Sequence, residues 1–218
     1  MNPRTRPNWH AMAVSAANDQ DNGRAFGLIR CAVLFDPGNS SALCDAFSIG
    51  ARFGYTGATR LAIWATRAHP LFLAGWRHQL DTIHQRAVPA VRQTMPRRVC
   101  ILSPGNSTDL RQSGQAMMNV GEHAHAARVL GWACLVETQD VSALFSLVQA
   151  RFQTRDQAGA LAALDRARNA GLPREQERFW RARVLIATGR HDEADKILTK
   201  AETAGGVLHV GVLGLCLG

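Results

Sequence analysis

His123 and His125 are the first side chains in this sequence whose chemistry stands out. Imidazoles serve as metal ligands and general bases. Two residues apart on a helix they point to different faces, and no Cys or acidic residue lies at ligand spacing beside them. His78 and His84 are nearly two helical turns apart, which makes them loose neighbours. Both pairs read as surface histidines. Five cysteines, at 31, 44, 100, 134 and 216, make an odd count with no CxxC spacing. They fit reduced thiols in a cytoplasmic protein, and Cys31, Cys100 and Cys134 take helix positions that call for a small apolar side chain. No Gly-x-Ser-x-Gly, phosphate-binding glycine loop, His-Glu-x-x-His or Gly-x-Gly-x-x-Gly occurs. The sequence therefore assigns no catalytic residue, no metal site and no cofactor. What remains is the chemistry of recognition, and that depends on the scaffold.

The formal charge of +8 comes almost entirely from arginine, since Lys196 and Lys200 are the only lysines. Such a bias more often reflects a GC-rich coding genome than a binding role. Residues 1–106 hold twelve Arg against five acids, whereas residues 107–218 hold thirteen basic residues against twelve acids. A basic first half can attract nucleic acid or acidic partners, but no run of basic residues exceeds Arg97-Arg98, and the plain reading is a solvated helical surface. The amino terminus is basic with no apolar stretch behind it, unlike a secretory signal. No run approaches the ~18 apolar residues of a membrane span.

The scaffold is legible as a repeat. Gly121, Ala126, Leu130 and Ala133 form a line. Ala160, Leu164 and Ala167 repeat it 34 residues later, and Gly189, Ala194, Leu198 and Ala201 repeat it after another 34. Three copies at one period mark a helical repeat array. In such an array each unit is a pair of antiparallel helices, with small residues where the helices approach and larger apolar residues between them. A composition rich in Ala, Leu, Arg and Gln agrees with helix.

The first unit carries the fuller pattern: Trp9, Met12-Ala13 and Ala16, then Ala25, Ile29, Ala32 and Pro37. With its period of 34 this resembles the tetratricopeptide repeat of bacterial and other proteins, and the resemblance covers nearly the whole chain. The fold class it implies is all-α, an α-α superhelix (solenoid) of about six antiparallel helix pairs with the third pair irregular. The units fall at 6–39, 40–72, 73–106, 107–140, 141–174 and 175–208, after a disordered N-terminus (1–5) and before an apolar tail (209–218). In the second unit the line Ala58, Ala62, Ala65 and Pro70 arrives one residue early, which implies a one-residue deletion in the turn Gly54-Tyr55-Thr56-Gly57. In the third, Pro89 suits a helix start and Pro96 is expected to kink or restart the helix. Leu102-Ser103-Pro104-Gly105-Asn106-Ser107 then echoes Phe35-Asp36-Pro37-Gly38-Asn39-Ser40, which keeps this segment a repeat; the alternative is a linker between two blocks. The tail either covers the last unit, binds another chain (self-association), or is the stub of a longer polypeptide.

The resemblance also implies where binding occurs. In tetratricopeptide proteins the first helix of each unit lines a concave groove, and its positions 2, 5, 9, 12 and 13 point inward. Here these are Arg111, Gln115, Met118 and Asn119 in the fourth unit, Phe145, Gln149, Phe152 and Gln153 in the fifth, and Phe179, Arg183 and Ile186 in the sixth. The third unit adds Arg77, Asp81, His84 and Gln85, and the first His10 and Asn18. Arg, Asn and Gln bond peptide backbone or carboxylates, and Phe supplies apolar anchors; Phe145 and Phe152 equally suit packing between units. The Lys/Asn clamp for acidic tails is missing, and so is the asparagine ladder of sugar-transferase repeat regions, because position 6 reads Ala11, Asp45, His78, Gln112, Ser146 and Trp180.

The functional expectation is a non-catalytic, cytoplasmic scaffold or adaptor whose groove holds a peptide segment or partner helix. One alternative is a regulatory or substrate-holding repeat region of a glycosyltransferase-like enzyme, by analogy of fold. The other is a basic-surface binder of nucleic acid, which ranks last for want of basic clusters with interleaved aromatics.

Overall fold

The computed structural model describes residues 8–83 and 89–203. The expectations about residues 1–5, His84, Gln85 and the tail lie outside these. Twelve α-helices and no strand occur among the described residues. The chain divides into two compact units, residues 1–102 and 103–218. Each contains three consecutive helix pairs.

The first unit pairs α1 (Trp9–Asn18) with α2 (Asn22–Phe35), α3 (Ser40–Arg52) with α4 (Ala58–Ala68), and α5 (Leu73–Ile83) with α6 (Pro89–Leu102). Small residues sit at the contacts: Ala13, Ala25, Ala62 and Ala65 are fully buried, and Ile29 fills the space between α1 and its partners. Gln79 of α5 is buried among them. Its amide donates to the Thr66 hydroxyl (2.7 Å) and the Ala62 carbonyl (3.3 Å) on α4, so the polar group is satisfied rather than stranded. α6 runs without interruption through Pro96, which is buried beside Met95 and Val99. Packing thus holds the helix together across the missing N–H instead of breaking it there.

The second unit pairs α7 (Ser107–Asn119) with α8 (His123–Val136), α9 (Val141–Gln153) with α10 (Gln157–Asn169), and α11 (Arg174–Ala187) with α12 (His191–Thr203). The repeat line Ala126-Leu130-Ala133 is fully buried, as is Ala160-Leu164-Ala167. Gly114 on α7 is where that line demands a small residue: a Cβ there would come within 2.6 Å of Leu130 Cγ.

The turns repeat as closely as the helices. Gln20, Gly54, Gly121, Arg155 and Gly189 each follow the first helix of a pair with positive φ between 61° and 81°. The next residue's N–H returns to the carbonyl five residues back: Asp21 to Ala16, Tyr55 to Gly50, Glu122 to Met117, Asp156 to Arg151 and Arg190 to Leu185, all 2.8–2.9 Å. This left-handed cap satisfies carbonyls at the end of one helix while it reverses the chain. Side-chain caps then start the next elements. Asn39, Asn106, Asp140 and Asp156 each accept from the N–H three residues on, at 2.9–3.0 Å. In the second pair the turn bond is intact and α4 starts only at Ala58, so the residue missing from the period falls between Tyr55 and Ala58.

Candidate functional site

The first helices of the second unit bring most of the candidate residues onto one side. On α11, Trp180 is the hub. Its ring meets Phe145 of α9 edge-on at 5.7 Å between centroids, Phe152 of α9 at 5.8 Å and Phe179 at 6.0 Å. The Arg183 guanidinium lies 5.0 Å from the Trp180 ring centroid and 5.1 Å from that of Phe152. Phe145, Phe152, Phe179 and Trp180 are half-buried and Arg183 is exposed. Stacking on the two rings holds the guanidinium through its π-face. Arg183 has no hydrogen-bond or carboxylate partner among the described residues, so its N–H groups face solvent.

A polar strip adjoins this cluster. The Gln115 amide donates to Asn119 Oδ1, and Ser146 Oγ donates to Gln115 Oε1, both at 3.4 Å. Arg111 Nε lies 3.4 Å from Asp140 Oδ2, the carboxylate that also caps α9. Gln149 is half-buried and Gln153 exposed on α9. Arg77 sits half-buried on α5 of the first unit.

Below the cluster an ionic bridge fixes α11 on α10. Arg181 donates to Glu177 Oε1 and to Asp165 Oδ1, each at 2.5 Å. Burial opposes the charge on Arg181, but the bonds to Glu177 and Asp165 outweigh it and raise its pKa above the ordinary arginine value.

The first unit has its own contacts between first helices. His10 Nε2 lies 2.6 Å from Asp45 Oδ2. Phe47 packs edge-on to Phe72 at 5.6 Å and to His78 at 5.1 Å. The His78 imidazole is bonded to Thr59 Oγ1 at 3.2 Å. Burial lowers its pKa, and nearby Asp81 offsets part of that.

The histidine pair does not converge. His123 Nδ1 is buried, while His125 is exposed and 3.9 Å from Glu122. No group of three His, Cys, Asp or Glu side chains suited to a metal occurs among the described residues.

Trp180 is the residue that sequence reasoning did not single out as a binding group. It appeared only as a departure from an asparagine ladder at position 6. The signal was available in the density of aromatics on two consecutive first helices, Phe145 and Phe152 on one and Phe179-Trp180 on the next.

Helix pairs, five of them closed by left-handed turns, packed on small residues such as Ala13, Ala62, Ala126 and Ala160, define a tetratricopeptide-like repeat fold. Solved structures agree. YrrB, described as a TPR protein with an unusual peptide-binding site, superposes with a TM-score of 0.61 over 75% of this chain and 84% of its own, at 16% identity. PilW, a type IV pilus biogenesis factor, gives 0.56 over 96% and 97% at 14% identity. PilF of Pseudomonas aeruginosa gives 0.51 over 92% of each chain at 12% identity. At these identities the likeness is one of fold. No family model and no curated protein matches the sequence.

Proposed function

We propose that the chain is a non-catalytic interaction scaffold that holds a peptide segment or partner helix against α7, α9 and α11 of the second unit. The observation that carries this reading is the Phe145–Phe152–Phe179–Trp180 cluster with Arg183 stacked on it. Aromatic rings and arginine dominate binding energy at protein interfaces because they bury large area with little entropy to lose. Half-buried rings leave an apolar face for a ligand side chain, and the unpaired N–H groups of Arg183 suit a carboxylate or a backbone carbonyl. Gln115, Asn119, Gln149 and Gln153 add donors and acceptors for an extended backbone. YrrB, of the same fold, is described as having a peptide-binding site, which supports the class of ligand. A cytoplasmic setting is supported by Cys31, Cys44 and Cys134, which are not in disulfides.

The test is partner recovery on the immobilised chain, comparing wild type with a variant carrying Arg111→Ala, Asn119→Ala and Phe145→Ala. Loss of specific partners from the variant supports the groove. Equal recovery from both removes it.

A further inference from the structure

On the opposite side of the second unit lies a cleft of about 520 Å³ that the groove does not use. Ala127, Arg128, Gly131, Trp132 and Leu135 of α8 form one wall; Leu147 and Arg151 of α9, Thr154 and Asp156 of the turn, and Arg166 of α10 form the rest. Successive helix residues turn ~100° about the axis. Leu147 and Arg151 therefore lie roughly opposite Phe145, Gln149 and Phe152 on α9, so cleft and groove are separate surfaces.

Three features of the cleft point one way. First, two large apolar side chains stand open on its wall: Trp132 is 48% and Leu135 74% exposed. Second, its floor is kept empty. Gly131 sits inside α8, and a Cβ on it would meet nothing within 4 Å. Neither a steric conflict nor a left-handed backbone requires glycine there, although glycine inside a helix costs ~1 kcal/mol relative to alanine. Third, the charge is unbalanced. Arg128, Arg151 and Arg166 line the cleft with Asp156 as the only acid. Arg151 donates to the Gly159 carbonyl (2.9 Å) with Asp156 3.8 Å away, and Arg166 donates to the Cys134 carbonyl (3.1 Å). The carbonyl bond holds the Arg166 guanidinium in place without neutralising it, whereas Arg151 is paired with Asp156. Arg128 has no hydrogen bond or ion pair among the described residues.

We propose that this cleft is a second docking site, for a partner-protein segment that places one bulky apolar side chain over Gly131, against Trp132 and Leu135, with carboxylates on either side of it. Arg128 and Arg166 pair with those carboxylates. The cleft is open to solvent, and its volume leaves room for one bulky side chain. A peptide fits better than single-stranded nucleic acid, which needs cations tracking a backbone and several aromatics for successive bases; here one indole serves one pocket. The scaffold then holds two partners, one on each face of the same three helix pairs.

The probe is a displayed random dodecapeptide library, depleted on the full chain carrying Gly131→Leu and then selected on wild type. The leucine fills the cleft from a position with free space around it, so its thermal midpoint is expected at or above wild type. If that variant fails to fold, Arg128→Glu, an exposed change, replaces it in the depletion. The expected survivors carry Asp or Glu flanking Leu, Ile, Phe or Trp. A synthetic survivor peptide should bind wild type with an affinity that falls as salt rises, lose about tenfold or more on Arg128→Glu, and bind Trp180→Ala as it binds wild type. The proposal is overturned if no peptide survives depletion, if survivors lack the acidic bias, if Arg128→Glu binds equally, if Trp180→Ala abolishes binding, or if an oligo-dT strand displaces the peptide.

Discussion

A methyl group on Gly114 of α7 would sit 2.6 Å from Leu130 Cγ on α8, so the two helices are as close as their side chains permit. Gly131, one residue along α8, has free space around its Cα instead. The two glycines therefore answer oppositely to the same change. Gly114→Ala should destabilise the second unit by about 1–3 kcal/mol through overpacking, with partial recovery when Leu130→Val makes room. Gly131→Ala should stabilise it by about 0.5–1 kcal/mol. Chemical denaturation of the full chain measures both, and equal signs would refute the packing described for α7 and α8.

The left-handed turns set a second expectation. Gln20 and Arg155 hold φ of 61° where Gly54, Gly121 and Gly189 serve the equivalent turns. A side chain in that region costs ~1 kcal/mol. Arg155→Gly should recover about that amount, less the increase in unfolded-chain entropy and the loss of any arginine packing. Gly121→Ala should cost a similar amount. A melting series of the two variants beside wild type checks the pair, and a stabilised Gly121→Ala would contradict the turn geometry.

The repeat was readable because its determinants are local and periodic. Ala126, Leu130 and Ala133 occupy one helix, and the same spacing recurs in later units, so both the buried line and the turn after α7 follow from the sequence. Pro96 shows where that reading ran out: it allowed either a kink or a restart, and α6 does not restart but continues through Pro96, which is buried beside Met95 and Val99. Trp180 shows the same at the site. Its role depends on Phe145 and Phe152, contributed by the preceding helix pair, and no local spacing on α11 encodes them. The cleft was less legible still, because its arginines come from α8, α9 and α10 and converge only in three dimensions.

The bridge from Arg181 to Glu177 and Asp165 joins α11 to α10. Glu177 is buried, so removal of the guanidinium strands its carboxylate. Arg181→Ala should cost about 2–3 kcal/mol, the scale of a charged hydrogen bond lost from a buried acid; Asp165 is half exposed and contributes little of this. Adding Glu177→Gln to Arg181→Ala should return part of the loss. Denaturant titration of the single and double variants reads this, and strictly additive destabilisation would show that the bridge carries no coupling.

His78 gives the first unit a pH dependence. Burial holds its pKa below the ordinary value of about 6.5. The neutral imidazole is favoured in the folded state, and the unfolded chain takes up the proton first as pH falls. The contribution of His78 is therefore complete above about pH 6.5 and is lost as pH falls from there through the lower folded-state value. Thermal midpoints measured from neutral to mildly acid pH should decline more for wild type than for His78→Gln. Parallel declines would exclude His78 as the source.

The most direct test of the proposed groove is site-specific photocrosslinking from position 149 on α9, the helix that carries Phe145 and Phe152. With a photoreactive residue in place of Gln149, the full chain in its own cell extract should form a discrete crosslinked species that mass spectrometry resolves to a partner peptide. The same species should vanish when Trp180→Ala and Arg183→Ala are added. Crosslinks that persist undiminished in that variant would contradict the assignment of the aromatic–guanidinium cluster as the peptide-holding site.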